Sequence, residues 1–264
     1  MKKLYLGESL VRNFSAGPQG SFVELEGEAY YCIENYDRMP PFLVSLTSGG
    51  NHWMYLSSTG GLTCGRKSPE NALFPYTTDD KVHDASSTTG PQTILRVNKD
   101  DKTYLWQPFN RNTPAYDLKR SLYKNNPGNR IVFEEINRDL GLSFSYCWSN
   151  SERFGFVRKA KIENLSTVDV ELELLDGLRN LLPCGVENLA QSTLSTLIDG
   201  YKQAESVPGL PAAVYSLSSI LTDRAEPSEA LRATIVWSLG LDEPEILLSE
   251  DHVDAFNFGR EIQG

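Results

Sequence analysis

The amino-acid sequence predicts an all-β, mainly antiparallel protein: a large two-sheet sandwich with one or two short helices at its edge. Three observations carry that expectation. Apolar residues recur at every second position in run after run, the period of a strand with one buried and one wet face. In KAKIENLSTVDVELELLDG, Val168, Val170, Leu172 and Leu174 face one way while Asp169, Glu171 and Glu173 face the other. These runs are separated by turn chemistry, most plainly Asn125-Asn126-Pro127-Gly128-Asn129. Helical spacing, by contrast, is confined to the last third of the chain.

The elements follow in order. Gly20 to Asp37 holds two strands around Phe22, Leu25, Tyr31 and Ile33, with Gly27 as turn or bulge. Met39-Pro40-Pro41 ends that unit, since each proline pushes its predecessor into extended geometry. FLVSLTS and NHWMYLS form a hairpin joined at Gly49-Gly50-Asn51. TILRVN and KTYLWQPF form another across Lys99-Asp100-Asp101-Lys102. Tyr116 to Tyr123 alternates, and at least four strands follow, with turns at 139–141, 150–152 and 164–167. From Glu187 to Ala204, Leu189, Leu194, Leu197, Ile198 and Tyr201 recur at helical spacing, which predicts a helix across the sandwich edge, ended by Pro208 and Pro211. AAVYSLSSILTD and ALRATIVWSLGL return to strands around the Glu226-Pro227-Ser228 turn. The tail from Glu250 is weakly helical and shows no clear cap. No repeat or composition shift divides the 264 residues, so one β-rich domain is expected. An end in mid-pattern reads as the front portion of a longer protein.

Composition narrows the function classes. A formal net charge of −10 argues against nucleic acid and against docking on anionic lipid, and is compatible with uncharged ligands such as sugars. No window of 18 apolar residues spans a membrane. Cys32, Cys64, Cys147 and Cys184 form no CxxC pair and the chain has three histidines, which argues against a zinc cluster. They read as reduced thiols of a cytoplasmic protein. Two disulfides belong to the alternative of an exported, periplasmic chain whose leader has been removed, since MKKLYLGESLVRNF lacks the apolar core of a signal peptide. No cofactor or metal is expected.

The stretch from Gly60 to Asp84 stands out. It packs Arg66, Lys67, Glu70, Asp79, Asp80, His83 and Asp84 into one connector, anchored by Leu62, Leu73, Phe74 and Tyr76. Long polar connectors in strand-rich chains are functional or disordered, and apolar anchors favour order. It is expected to be an ordered loop across the mouth of the sandwich, with Arg66, Asp79, Asp80 and His83 as candidate ligand-binding residues.

Motifs for chemistry are few. GGLTCGRKS has the wrong spacing for a phosphate loop and no βαβ unit around it. No GxSxG elbow exists, and a triad would have to be assembled from His52, His83 or His252. Of the paired carboxylates, Glu134 and Glu135 point to opposite faces of a regular strand, and Glu24 and Glu26 read as a solvated edge. Asp79-Asp80 can bind a sugar hydroxyl, hold Arg66 or cap a turn. No catalytic residue is assigned. Of His52 and Trp53, one is core and the other surface. Trp53, Trp106, Trp148 and Trp237 sit in strand contexts that predict core, and an exposed one would offer a stacking platform for sugar.

The region Gly20 to Leu182 resembles the amino-terminal sandwich of cellobiose- and chitobiose-phosphorylase-type glycoside phosphorylases and of cyclic glucan synthases. The likeness rests on Tyr31-Cys32-Ile33, Met39-Pro40-Pro41-Phe42, Thr59-Gly60-Gly61, Ser68-Pro69-Glu70-Asn71, Phe74-Pro75-Tyr76-Thr77-Thr78-Asp79-Asp80 and the later KAKIENLSTVDVELELLDG. Phe42 stands where the family usually has Trp, and Glu187 to Leu248 has no counterpart. The resemblance implies a super-sandwich related to galactose mutarotase, which packs on an (α/α)6 catalytic domain of the same protein and helps shape its sugar site. Its implied partners are an oligosaccharide or sugar, that catalytic domain, and a second copy in a homodimer. Mutarotase needs paired histidines and a glutamate that His52, His83 and His252 do not supply, so epimerase activity is not carried over. A self-sufficient epimerase or lyase using His83, and a carbohydrate-binding module, are the alternatives.

Overall fold

The computed structural model describes residues 4–11, 16–111, 115–221 and 228–262. In chain order its strands are β1 (Tyr5–Leu6), β2 (Ser9–Leu10), β3 (Gln19–Leu25), β4 (Glu28–Glu34), β5 (Leu43–Leu46), β6 (His52–Ser57) and β7 (Leu62–Arg66). The short helix α1 (Asp79–Asp84) precedes β8 (Gly90–Lys99), β9 (Lys102–Trp106), β10 (Leu118–Asn125), β11 (Arg130–Asn137), β12 (Leu142–Ser151), β13 (Gly155–Asn164) and β14 (Glu171–Arg179). Then come α2 (Asn188–Thr193), α3 (Ser195–Asp199), β15 (Lys202–Ser206), β16 (Ala212–Leu217), β17 (Ala233–Trp237) and α4 (Glu250–Asn257). Every strand pairing among the described residues is antiparallel. The all-β sandwich expected from the alternation is what forms.

One layer is a six-stranded sheet in the order β13-β12-β11-β10-β4-β3. Two three-stranded sheets, β5-β6-β7 and β14-β8-β9, share one apolar core with it. That core takes Leu122, Phe133, Phe144, Tyr146 and Trp148 from the large sheet, Met54, Leu56 and Cys64 from β6 and β7, and Leu95, Val97 and Trp106 from β8 and β9. Phe133 and Tyr146 stack with ring centroids 5.0 Å apart, in register across β11 and β12. A further sheet, β15-β16-β17, packs half-buried Tyr215 and Val236 against that core and contributes Leu217 to a smaller cluster with Ala72, Leu182, Val186 and Ile198.

The predicted hairpins form where the turn residues stand. β8 and β9 join through Asp100 and Asp101, both in the left-handed region (φ 51° and 57°). Glu134 and Glu135 do face opposite ways: Glu134 accepts from the Tyr123 hydroxyl, whereas Glu135 is wholly buried.

Several expectations are corrected. The connector is no continuous loop, because Leu62–Arg66 pairs with β6 as a full sheet member. Gly65 makes this geometry accessible: a Cβ there would lie 2.5 Å from the Asn71 carbonyl oxygen, where the chain folds back to bridge Ala72. The single helix from Glu187 is two short helices broken at Leu194, and Lys202–Ser206 is a strand. Ser192 and Thr193 hydroxyls donate back to the Leu189 carbonyl, which competes with helix propagation in this Ser/Thr-rich run. Pro208 and Pro211 therefore belong to the β15–β16 turn, closed by Val207 N–H to the Ala212 carbonyl at 2.9 Å. Trp237 is 46% exposed, not core, and Phe22, on edge strand β3, is 75% exposed with its ring edge to face against that of Tyr31, itself 43% exposed. α4 does end in a cap: Gly259 is left-handed and Arg260 N–H reaches the Ala255 carbonyl at 2.8 Å. The Glu226-Pro227 part of the predicted turn lies outside the described residues. All four cysteines are free thiols. No helix among the described residues is long and apolar enough to cross a membrane.

Candidate binding cleft

Alternation along β6 separates two jobs. His52, Met54 and Leu56 point into the main core, while Trp53, Tyr55 and Ser57 lie on the opposite face. Across the ladders, Ser45 and Thr63 are the partners of Tyr55, so this outer face carries Leu43, Tyr55 and Thr63 side by side. It forms the floor of a cleft of about 920 Å³.

One wall is the segment from Pro75 to Val82, which includes Tyr76, Asp79 and Lys81. It is tied down at both ends. The Thr63 hydroxyl reaches the Phe74 carbonyl at 3.5 Å, and buried Val82 seats α1 against the sheet. The other wall comes from Asn188, Gln191 and Ser192 of α2, Asp199 of α3 and Lys202 at the start of β15. Glu70 accepts from Asn188 N–H at 2.7 Å, which satisfies an otherwise orphan donor at the start of α2 and ties it to the turn at Pro69–Asn71. Leu182 N–H donates to the Leu73 carbonyl at 2.8 Å and closes the back.

The lining has a definite chemical character. Tyr55 and Tyr76 are 42% and 39% exposed, and each rests on Trp53, with ring centroids 6.2 and 5.5 Å away. Two rigid aromatic faces are thus held toward solvent by a third ring behind them. The charged lining residues are Asp79, Lys81, Asp199 and Lys202, two of each sign, and Lys202 already pairs with Asp199 at 2.7 Å. Threonine and serine hydroxyls and three side-chain amides, from Asn180, Asn188 and Gln191, complete the polar part.

The four predicted site residues separate. Asp79 lines the cleft. Asp80, next to it on α1, turns back to accept from the Thr78 hydroxyl. That bond, and after it the Lys81 backbone N–H, holds its carboxyl below the usual aspartate value. His83 closes α1 and contacts Ser57 Oγ through Nδ1 at 2.7 Å, beside the cleft floor. Arg66 lies elsewhere. It is the cross-strand partner of His52 and donates to Asn51 Oδ1 at 3.0 Å. His52 and Ser57 are opposite ends of one six-residue strand, so Arg66 and His83 stand roughly 17 Å apart along it. His252 lies on α4.

Tyr55, Gln191 and Lys202 escaped the sequence reading because each is an ordinary residue of its own element. The signal for Tyr55 was nevertheless present: in HWMYLS the two aromatic residues share the face opposite Met54 and Leu56. The chain matches no protein-family model and no curated protein.

Proposed function

We propose that this chain is a non-catalytic sandwich domain of a carbohydrate-active enzyme, whose cleft takes an uncharged oligosaccharide and forms one wall of a sugar site served by an (α/α)6 catalytic domain of the same protein. The observation that carries this reading is the lining itself. Tyr55 and Tyr76 offer flat apolar faces of the kind on which sugar rings stack, amid hydroxyls and amides whose accompanying charges cancel. A phosphorylated or acidic ligand would call for an excess of cations that the cleft lacks. The resemblance of residues Gly20 to Leu182 to glycoside phosphorylases supplies the expected partner domain.

Trp53 reports on the cleft because it packs edge to face against Tyr76. Titration with cellotetraose and with chitotetraose is expected to change its fluorescence saturably for at least one of them. Tyr76→Ala should weaken that binding by at least about tenfold, and Trp53→Phe should abolish the signal. A flat titration with both sugars sinks the reading. Turnover of either sugar by the purified chain would overturn the non-catalytic part.

One observation favours a second reading, a carbohydrate-binding module: Trp237 is exposed beside Phe154, with ring centroids 6.3 Å apart. If binding survives Tyr76→Ala and is lost in Trp237→Ala, that reading replaces the first.

A further inference from the structure

Between β6 and β7, Ser57 and Thr59 meet the end of α1 in three short contacts. Ser57 Oγ lies 2.7 Å from Thr59 Oγ1 and 2.7 Å from His83 Nδ1, and Thr59 Oγ1 lies 2.7 Å from the His83 carbonyl oxygen. Each contact needs one proton. The two hydroxyls bring one each and a carbonyl brings none, so the third must sit on His83 Nδ1. A single arrangement then satisfies every atom. Thr59 donates to the His83 carbonyl, Ser57 donates to Thr59, and Nδ1–H donates to Ser57. Ser57 Oγ also accepts Thr59 N–H at 3.0 Å, which fills the one donor and two acceptor positions of a hydroxyl.

The cluster is not a catalytic pair. A serine 2.7 Å from an imidazole suggests a nucleophile and its base. Here the serine proton goes to Thr59, the ring donates to the serine, and Ser57 has no exposed surface from which to attack. Position gives the cluster a different role. Ser57 follows Tyr55 by two residues on the same face of β6, and His83 follows Lys81 and Val82 of the cleft wall. Gly61 completes the joint, because a Cβ there would lie 2.1 Å from the Val82 carbonyl oxygen. Only glycine lets α1 lie this close.

We infer that Ser57 and Thr59 lock His83 as its Nδ1–H tautomer, and that this latch positions α1 as a wall of the cleft. His83 is thus a positioning residue. The tautomer follows from the proton count alone, while the effect on affinity rests on the reading of the cleft as a sugar site.

The test is a nitrogen-15 spectrum of protein labelled at histidine. In the spectrum of the neutral ring, His83 should show a protonated Nδ1 and a bare Nε2. Thr59→Val removes the acceptor of the Ser57 proton, which then turns to the ring, so the tautomer should switch to Nε2–H. Thr59→Ser keeps the hydroxyl and should keep the Nδ1–H form. Thr59→Val should also speed amide exchange in α1 and weaken oligosaccharide binding by roughly tenfold, with Thr59→Ser restoring both. A bare Nδ1 in the unaltered protein overturns the inference, as does a tautomer or an α1 exchange rate unchanged by Thr59→Val. Failure of the unaltered protein to bind either tetrasaccharide overturns the proposed function instead, and the tautomer measurement still decides the latch.

Discussion

Glu135 has no exposed surface, yet its carboxylate is fully engaged. Oε1 accepts the Trp106 indole N–H at 2.7 Å, and Oε2 accepts Phe109 N–H at 2.8 Å and Arg120 Nε at 2.6 Å. Arg120, itself 8% exposed, also donates to the Asn110 carbonyl at 2.9 Å. Removing one partner strands the other charge in the core. Glu135→Leu is therefore expected to cost about 3–5 kcal/mol in urea unfolding, and adding Arg120→Met should recover much of the loss. His52 shows the same rule for a neutral ring. It packs edge to face on Phe156 with ring centroids 5.2 Å apart, and neither ring nitrogen has a hydrogen-bond partner among the described residues. Burial first, then the charge of its cross-strand partner Arg66, lowers its pKa from the ordinary histidine value, with only Glu152 acting the other way. The unfolded chain then binds the proton more readily than the folded one. Stability held above about pH 6.5 should fall as pH drops through the lowered folded value. Urea midpoints measured from neutral to mildly acid pH should decline in the natural protein and decline less in His52→Phe.

At the scale of the element, turn chemistry was the most legible feature. The sequence predicts a hairpin turn at Asp100 and Asp101, and both adopt the left-handed conformation that a two-residue loop of this twist requires. Aspartate tolerates that region at a cost that glycine avoids. Asp101→Gly is expected to raise the thermal midpoint, with a gain of up to about 1 kcal/mol. Helical periodicity proved a weaker guide. Leu189, Leu194 and Leu197 suggested a buried stripe, but all three are exposed and Ile198 is the buried one. Spacing reports which residues share a face and says nothing of whether a partner covers it. The same limit applies to Trp237, whose strand was correctly placed while its burial was not.

Across the whole molecule, stability is unevenly distributed. The main core joins the six-stranded sheet to two smaller sheets, whereas β16 and β17 reach it only through half-buried Tyr215 and Val236, and the fully buried cluster beside them is the small one of Ala72, Leu182, Val186, Ile198 and Leu217. Fewer buried apolar groups mean a lower free energy of local opening. Amides of β15–β17 are expected to exchange at least about tenfold faster than those of β10–β12 in native-state hydrogen exchange. Equal protection in both sheets would show that the small core is not the weaker one. Because α2, α3 and Lys202 form one cleft wall, ligand bound there should slow exchange in β15 more than in β11.

Read alone, the chain determined the all-β class, the antiparallel hairpins and the turns that join them. Those follow from side-chain alternation and from Gly, Pro and Asn chemistry, which act over a few residues. Only the tertiary structure decided that Asp79 and Arg66 part company, that Tyr55 and Lys202 face one cleft, and that Ser57 and Thr59 meet His83. The reason is physical: a cleft and a hydrogen-bond relay depend on which distant segments touch, and strand period carries no record of the partner on the far side.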